Sequence, residues 1–134
     1  MANQEQIAAS VSDAEIEVLQ QLWEQAPLSA QDIIERLQQQ RAEDVHPKTV
    51  KTLINRLLKK GALAFTEKQR KYYYSPLIDR EAFYAQKTSS FLNKFFNGEV
   101  TPLVSYFSQQ KKLDDKDLAE LKQLIEKLED DHDK

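Results

Sequence analysis

Apolar residues recur along the first sixty positions at helical spacing, then alternate, then return to helical spacing. Ile16, Leu19, Leu22 and Trp23 mark one face of a first helix. Ser12-Asp13-Ala14-Glu15 has the spacing of a capping box at its start, and Pro27 bounds its end. Ile33, Ile34 and Leu37 form the stripe of a second helix that Ser29 is placed to cap, and the polar run Gln38 to Asp44 closes it. A third helix is predicted over Pro47–Lys60. Proline suits its first position because the missing amide hydrogen is not needed there, and Gly61 is a natural left-handed stop. Val50, Leu53, Ile54, Leu57 and Leu58 share one face of it. After Gly61 the period becomes two. Leu63 and Phe65 alternate with Ala64 and Thr66, a charged stretch Glu67-Lys68-Gln69-Arg70 follows, and Lys71-Tyr72-Tyr73-Tyr74 is a second β-rich run, so a hairpin is predicted.

The rest of the chain reads as helix. Ser75 to Asp79 is a linker, and Asp79 is placed to cap a long helix carrying Phe83, Tyr84, Phe91, Leu92, Phe95 and Phe96, which Asn97-Gly98 ends. Thr101-Pro102 opens a short helix with Leu103, Val104 and Phe107. Asp114 is placed to cap a last one, where Leu118, Leu121, Ile125 and Leu128, with Leu124 beside them, form a narrow seam suited to a partner helix. The expected organisation is therefore a flexible N-terminus (1–10), a winged-helix domain (11–77), a helical dimerisation domain (78–130) and a flexible tail (131–134). The fold class is mainly α with a small β-hairpin.

The net charge of −3 argues against a nucleic-acid partner until its distribution is considered. Residues 1–45 hold nine acidic and two basic side chains, residues 46–71 hold eight basic and one acidic, and the remainder is mildly acidic. A short cationic block inside an acidic protein is the footprint expected for phosphate. No apolar run approaches the ~20 residues of a membrane span, and the first ten residues do not look like a secretory signal. With no cysteine, disulfides and thiolate metal sites are excluded. A cytoplasmic location follows as the default, with no membrane partner and no cofactor.

The third helix carries the chemistry. Lys48, Thr49, Lys51, Thr52, Asn55, Arg56 and Lys59 lie away from its apolar face. Cations hold phosphates, and Arg and Asn also make paired hydrogen bonds to base edges. A merely solvated basic face is the alternative, disfavoured by the helix-turn-helix before it and the basic hairpin after it. Lys68, Arg70 and Lys71 at the hairpin tip are expected to grip the phosphate backbone or an adjacent minor groove. Two of the three tyrosines are expected to pack into the sheet or linker rather than stack on single-stranded bases. Phe91, Leu92, Phe95, Leu103, Phe107, Leu118, Leu121, Leu124, Ile125 and Leu128 are the candidate homodimer contacts. Enzyme chemistry finds little support. Of the two histidines, His46 precedes Pro47 and His132 sits in the acidic run Asp130-Asp131-His132-Asp133, read as a tail rather than a metal site. The function expected is a DNA-binding transcriptional repressor acting as a dimer on double-stranded operator DNA. The alternative is a winged-helix protein-interaction module within an assembly.

The segments Val11 to Leu19, Leu22-Trp23-Glu24, Pro47 to Leu53, Arg56 to Leu63 and Tyr73 to Leu77 resemble the BlaI/MecI/CopY family of penicillinase repressors, as do Ser90-Phe91-Leu92, Phe96-Asn97-Gly98 and Pro102-Leu103-Val104. The resemblance implies a dimeric winged-helix repressor on an inverted-repeat operator near its own promoter. It also implies recognition residues at Lys48, Thr49, Thr52 and Arg56 and wing residues at Lys68, Arg70 and Lys71. Two departures bear on the inducing signal. Antibiotic-responsive relatives are cut by an inducing protease at an Asn-Phe bond, where this chain has Tyr106-Phe107. Copper-responsive relatives carry Cys-x-Cys pairs, which this chain lacks. An inducing protease or another signalling partner is implied, without its identity.

Overall fold

The computed structural model describes residues 3–41 and 44–132 and divides into two compact units between Thr88 and Ser89. In the first unit the first three helices each start where a side chain satisfies the free amides, and the fourth starts on a proline that has none to satisfy. α1 (Gln4–Ser10) is closed by an amide version of the capping box, in which Asn3 accepts from the Gln6 amide at 2.8 Å and the Gln6 side chain accepts from the Asn3 amide at 3.2 Å. α2 (Asp13–Glu24) uses Ser12 and Glu15, and α3 (Ala30–Gln40) uses Ser29 and Asp32. α4 (Pro47–Lys60) begins on Pro47 and ends on Gly61, whose φ of 81° is the left-handed stop.

Residues 4–10 correct the expectation of a flexible N-terminus. Ile7, Ala8 and Val11 form a short apolar stripe that is buried in the core. The C=O of Ser10, left free at the end of α1, accepts from Lys60 Nζ at 2.6 Å.

The predicted hairpin forms as β2 (Leu63–Lys68) and β3 (Lys71–Pro76), and a further two-residue strand, β1 (Leu28–Ser29), adds to its other side in the order β1-β3-β2. All pairing is antiparallel, with Leu28 opposite Tyr74 and Phe65 opposite Tyr74 from the other side. Gln69 and Arg70 make the turn with φ of 53° and 67°. Positive φ at both central residues gives the twist that a two-residue hairpin needs, although neither is a usual residue for it. Helix-turn-helix followed by this hairpin is the winged-helix arrangement.

The core gathers Val18, Leu19 and Leu22 of α2, Ile33 and Ile34 of α3, and Val50, Ile54 and Leu57 of α4. It also takes in Ile78 and Phe83, so the division at 88/89 replaces the expected one at 77/78. Trp23 explains why: its Nε1 donates to the Ile78 carbonyl at 2.9 Å, and its ring lies 5.3 Å from that of Phe83. α5 (Arg80–Phe96), capped by Asp79 at the Ala82 amide, thus begins as part of the first core.

The second unit holds the end of α5, α6 (Val100–Gln109) and α7 (Asp115–His132). Asn97 and Gly98, with φ of 54° and 80°, turn the chain between α5 and α6. Asp114 accepts from the Asp117 amide at 2.8 Å to start α7. Asp131 and His132, expected in the flexible tail, continue α7, and residues 133 and 134 lie outside the described residues. Among the described residues from Ser89 onward, none is fully buried. No described helix is long and apolar enough to cross a membrane.

Candidate nucleic-acid interface

α4 packs Val50, Leu53, Ile54 and Leu57 inward, which fixes what its other side presents. Lys48, Thr49, Lys51, Thr52, Asn55, Arg56 and Lys59 are all exposed on it. Lys48, Thr52 and Lys59 occupy the middle of that surface. Lys51 and Asn55, four apart, lie on the flank next to Ile54, and Thr49 and Arg56 lie on the opposite flank. The Thr52 hydroxyl donates to the Lys48 carbonyl at 3.0 Å, so it presents its methyl group and a lone pair outward. On the hairpin, Lys68 stands opposite Lys71 in the last rung and Arg70 is in the turn, all three exposed.

In the first unit the ion pairs fall outside this group of cations. Arg36 pairs with Glu24 at 2.6 Å, Arg41 with Glu17 at 3.0 Å, Arg80 with Glu81 at 2.7 Å, and Lys60 with Glu15. Among the described residues, Lys48, Lys51, Arg56, Lys59, Lys68, Arg70 and Lys71 make no ion pair. Holding like charges together without counter-charges costs free energy that a polyanion recovers.

Lys60, half-buried, instead pairs with a buried carboxylate, a role that charge alone did not reveal. Its ammonium group meets both carboxylate oxygens of Glu15, the second at 2.9 Å, as well as the Ser10 carbonyl. Glu15 is only 1% exposed. Burial pushes its carboxyl upward, but hydrogen bonds from Lys60 and from the Ser12 amide and hydroxyl outweigh that and hold it below the usual carboxylate range. The signal was present in the spacing: Lys60 follows Leu57 by three and Leu53 by seven, on the buried side of the helix.

Of the tyrosines, Tyr74 is buried, Tyr73 half-buried and Tyr72 exposed. Burial, with Tyr72 nearby, pushes the Tyr74 hydroxyl above the usual range. Of the candidate dimer contacts, Leu92, Leu103 and Leu121 are half-buried within the second unit. Phe91, Phe95, Phe107, Leu118, Leu124, Ile125 and Leu128 are exposed. Phe107, Leu113, Leu121 and Leu124 line an apolar groove of about 460 Å³ between α6 and α7, with Lys112, Asp117 and Glu120 at its rim.

Residues 11–127 match the family model described as penicillinase repressor. The chain belongs to the penicillinase repressor family. The penicillinase repressor of Bacillus licheniformis is 34% identical over 116 residues, covering 87% of this chain and 89% of that protein. The methicillin resistance regulatory protein MecI of Mammaliicoccus sciuri is 33% identical over 117 residues, covering 87% of this chain and 94% of its own. The solution structure of the Bacillus licheniformis BlaI monomer in complex with the blaP half-operator is 35% identical over 54% of this chain and 85% of that one, with a TM-score of 0.46. The penicillinase repressor family consists of DNA-binding transcriptional repressors rather than enzymes, and the resemblance read from the sequence is to this same family.

Proposed function

We propose that this penicillinase-repressor family member binds an inverted-repeat operator as a homodimer in the cytoplasm, with α4 in the major groove and the hairpin on the phosphate backbone. The observation that carries this reading is the cluster of seven cations without ion pairs on α4 and the hairpin, in a unit where Arg36, Arg41, Lys60 and Arg80 are paired. Thr52 and Arg56 are assigned to base edges. Thr52 offers a methyl group and an acceptor, and Arg56 offers a planar donor pair. Lys48, Thr49 and Lys59 on α4, and Lys68, Arg70 and Lys71 on the hairpin, are assigned to positioning on the backbone.

Dimerisation is assigned to the second unit, because none of its described residues is buried while Phe95, Val100, Leu118, Leu124, Ile125 and Leu128 are exposed. Three helices with no closed core need another surface, and a second copy of the chain supplies one by symmetry. Release from DNA is assigned to the same unit, through a cut at Tyr106–Phe107, both exposed on α6, or through a ligand or signalling partner that separates the protomers. Either route removes the linked second half-site on which tight binding rests.

The test is selection of bound duplexes from a random pool. The expected product is an inverted repeat with half-site centres about one helical turn, ~34 Å, or a multiple of it apart. A single unrepeated motif would exclude the dimeric reading, and failure to enrich any duplex would exclude the operator reading altogether.

A further inference from the structure

The hairpin also carries two aromatic side chains that the fold does not bury. Phe65 is 52% and Tyr72 51% exposed, and their ring centroids are 4.8 Å apart. Strand register places them on one face of the sheet: Leu63 stands opposite Pro76, Phe65 opposite Tyr74, and Tyr72 opposite Glu67. This is the inner face, since Leu63 and Tyr74 on it are buried. Tyr74 in turn lines a cleft of about 200 Å³ with Ala30 of α3 and Lys51, Ile54 and Asn55 of α4. Phe65 and Tyr72 therefore continue the hairpin wall of this cleft outward, toward the turn at Gln69-Arg70. Lys51 and Asn55 form the facing wall. Among the described residues, the Lys51 ammonium makes no ion pair and the Asn55 amide no hydrogen bond.

We propose that this cleft seats one deoxyribose–phosphate strand of the duplex, with a phosphate held by Lys51 and Asn55 and sugars lying against Phe65 and Tyr72. The inference rests on the DNA-binding reading above and adds a site to it. A helix in the major groove and a hairpin beside the neighbouring minor groove are separated by one backbone strand, and the cleft lies between those two elements. The walls suit that polymer: cationic and amide groups for the phosphate, flat apolar rings for the carbon face of the sugar. Glu67, opposite Tyr72, repels phosphate from the outer end, which leaves that end to the sugars. Asn55 is thereby a backbone contact and not a reader of bases.

Hydroxyl-radical cleavage reports access to individual sugars, so it tests the site on the selected duplex bound to the full chain. The expected footprint includes a protected run of sugars flanking each contacted major groove. Phe65→Thr with Tyr72→Thr keeps strand-favouring residues, and circular dichroism and thermal melting check that the pair still folds. That pair should lose the protected run and bind operator and random duplex about 10–100-fold more weakly. The slope of log affinity against log salt should not change, because no cation is removed. Lys71→Ala, by contrast, should lower that slope by about one. Unchanged affinity and footprint in the folded pair would overturn the site while leaving the repressor reading intact. Absence of salt-dependent duplex binding by the native chain would overturn the repressor reading itself. Should the pair fail to fold, the indole introduced by Tyr72→Trp gives the answer. Saturating duplex should shield it from acrylamide quenching, and an unshielded indole overturns the proposal.

Discussion

The two units of this chain handle apolar surface in opposite ways. In the first, Val18, Leu19, Ile33 and Leu57 are completely sealed, and even Phe83 at the start of α5 is drawn into the core. In the second, Phe95, Leu118, Leu124, Ile125 and Leu128 each remain at least half exposed. Burial of apolar area is the main term in folding, so the first unit has within itself what it needs and the second does not. On the proposed function, the difference is that between a DNA-reading module expected to fold alone and a helical segment expected to be completed by association.

The largest effect should come from dividing the two. A fragment ending at Thr88 is expected to be folded and monomeric in sedimentation, and to bind a full operator about 100–10,000-fold more weakly than the intact chain. A dimer from that fragment would place association in the first unit and break the comparison. Next in size are matched core and surface truncations. Phe83→Ala should lower the stability of the first unit by about 3–5 kcal/mol in chemical denaturation, as a sealed aromatic does. Phe95→Ala should leave that unit's unfolding midpoint unchanged and weaken dimerisation instead.

Within the reading surface, Arg56→Ala or Thr52→Ala is expected to reduce discrimination between operator and random duplex by about 1–3 kcal/mol per lost base contact. Lys59→Ala should weaken both duplexes alike and reduce the salt slope by about one. An unchanged motif after Arg56→Ala would move that residue to the backbone.

The smallest effect concerns Glu15. Its folded carboxyl lies below the ordinary value of 4.5, so the native state holds its proton less tightly than the unfolded chain. The stabilisation is therefore fully present above that value and is lost as pH falls through the folded one. Glu15→Gln should cost about 1–2 kcal/mol at neutral pH, since it removes hydrogen bonds to a charged group, and should flatten the pH dependence of melting in the acid range. A melting curve with the same acid limb as the native chain would exclude the Lys60–Glu15 pair as its source.

The sequence revealed most where local chemistry and periodicity agree. Ser12 with Glu15, Ser29, Pro47 with Gly61, and Asp114 are found at the helix ends that their chemistry favours. Where contacts are made at long range, the sequence said less. β1 is two residues long and exists because Leu28 and Ser29 meet Tyr74 and Tyr73, far along the chain. The turn at Gln69-Arg70 has no glycine or asparagine to announce it, so strand pairing imposes the positive φ values. α1 escaped notice because its cap uses amides, and its stripe of Ile7, Ala8 and Val11 is too short to show a period. The exposed residues of α4 and the hairpin were legible as a group from charge. What charge alone did not separate is the one α4 cation that finds a buried carboxylate, Lys60, from its neighbour Lys59, which finds none.

The place of Lys60 also sets the edge of what can be exchanged. Residues 48–59 of α4 carry the outward chemistry, and Lys60 fastens the end of that helix to Glu15 and to the last turn of α1. A graft that imports only the outward positions between 48 and 59 from a relative with another operator should retarget the protein on an undisturbed scaffold. A graft that runs one residue further, and brings in an uncharged side chain at 60, would leave the buried Glu15 carboxylate without its cation and unsettle the frame on which the new specificity has to stand.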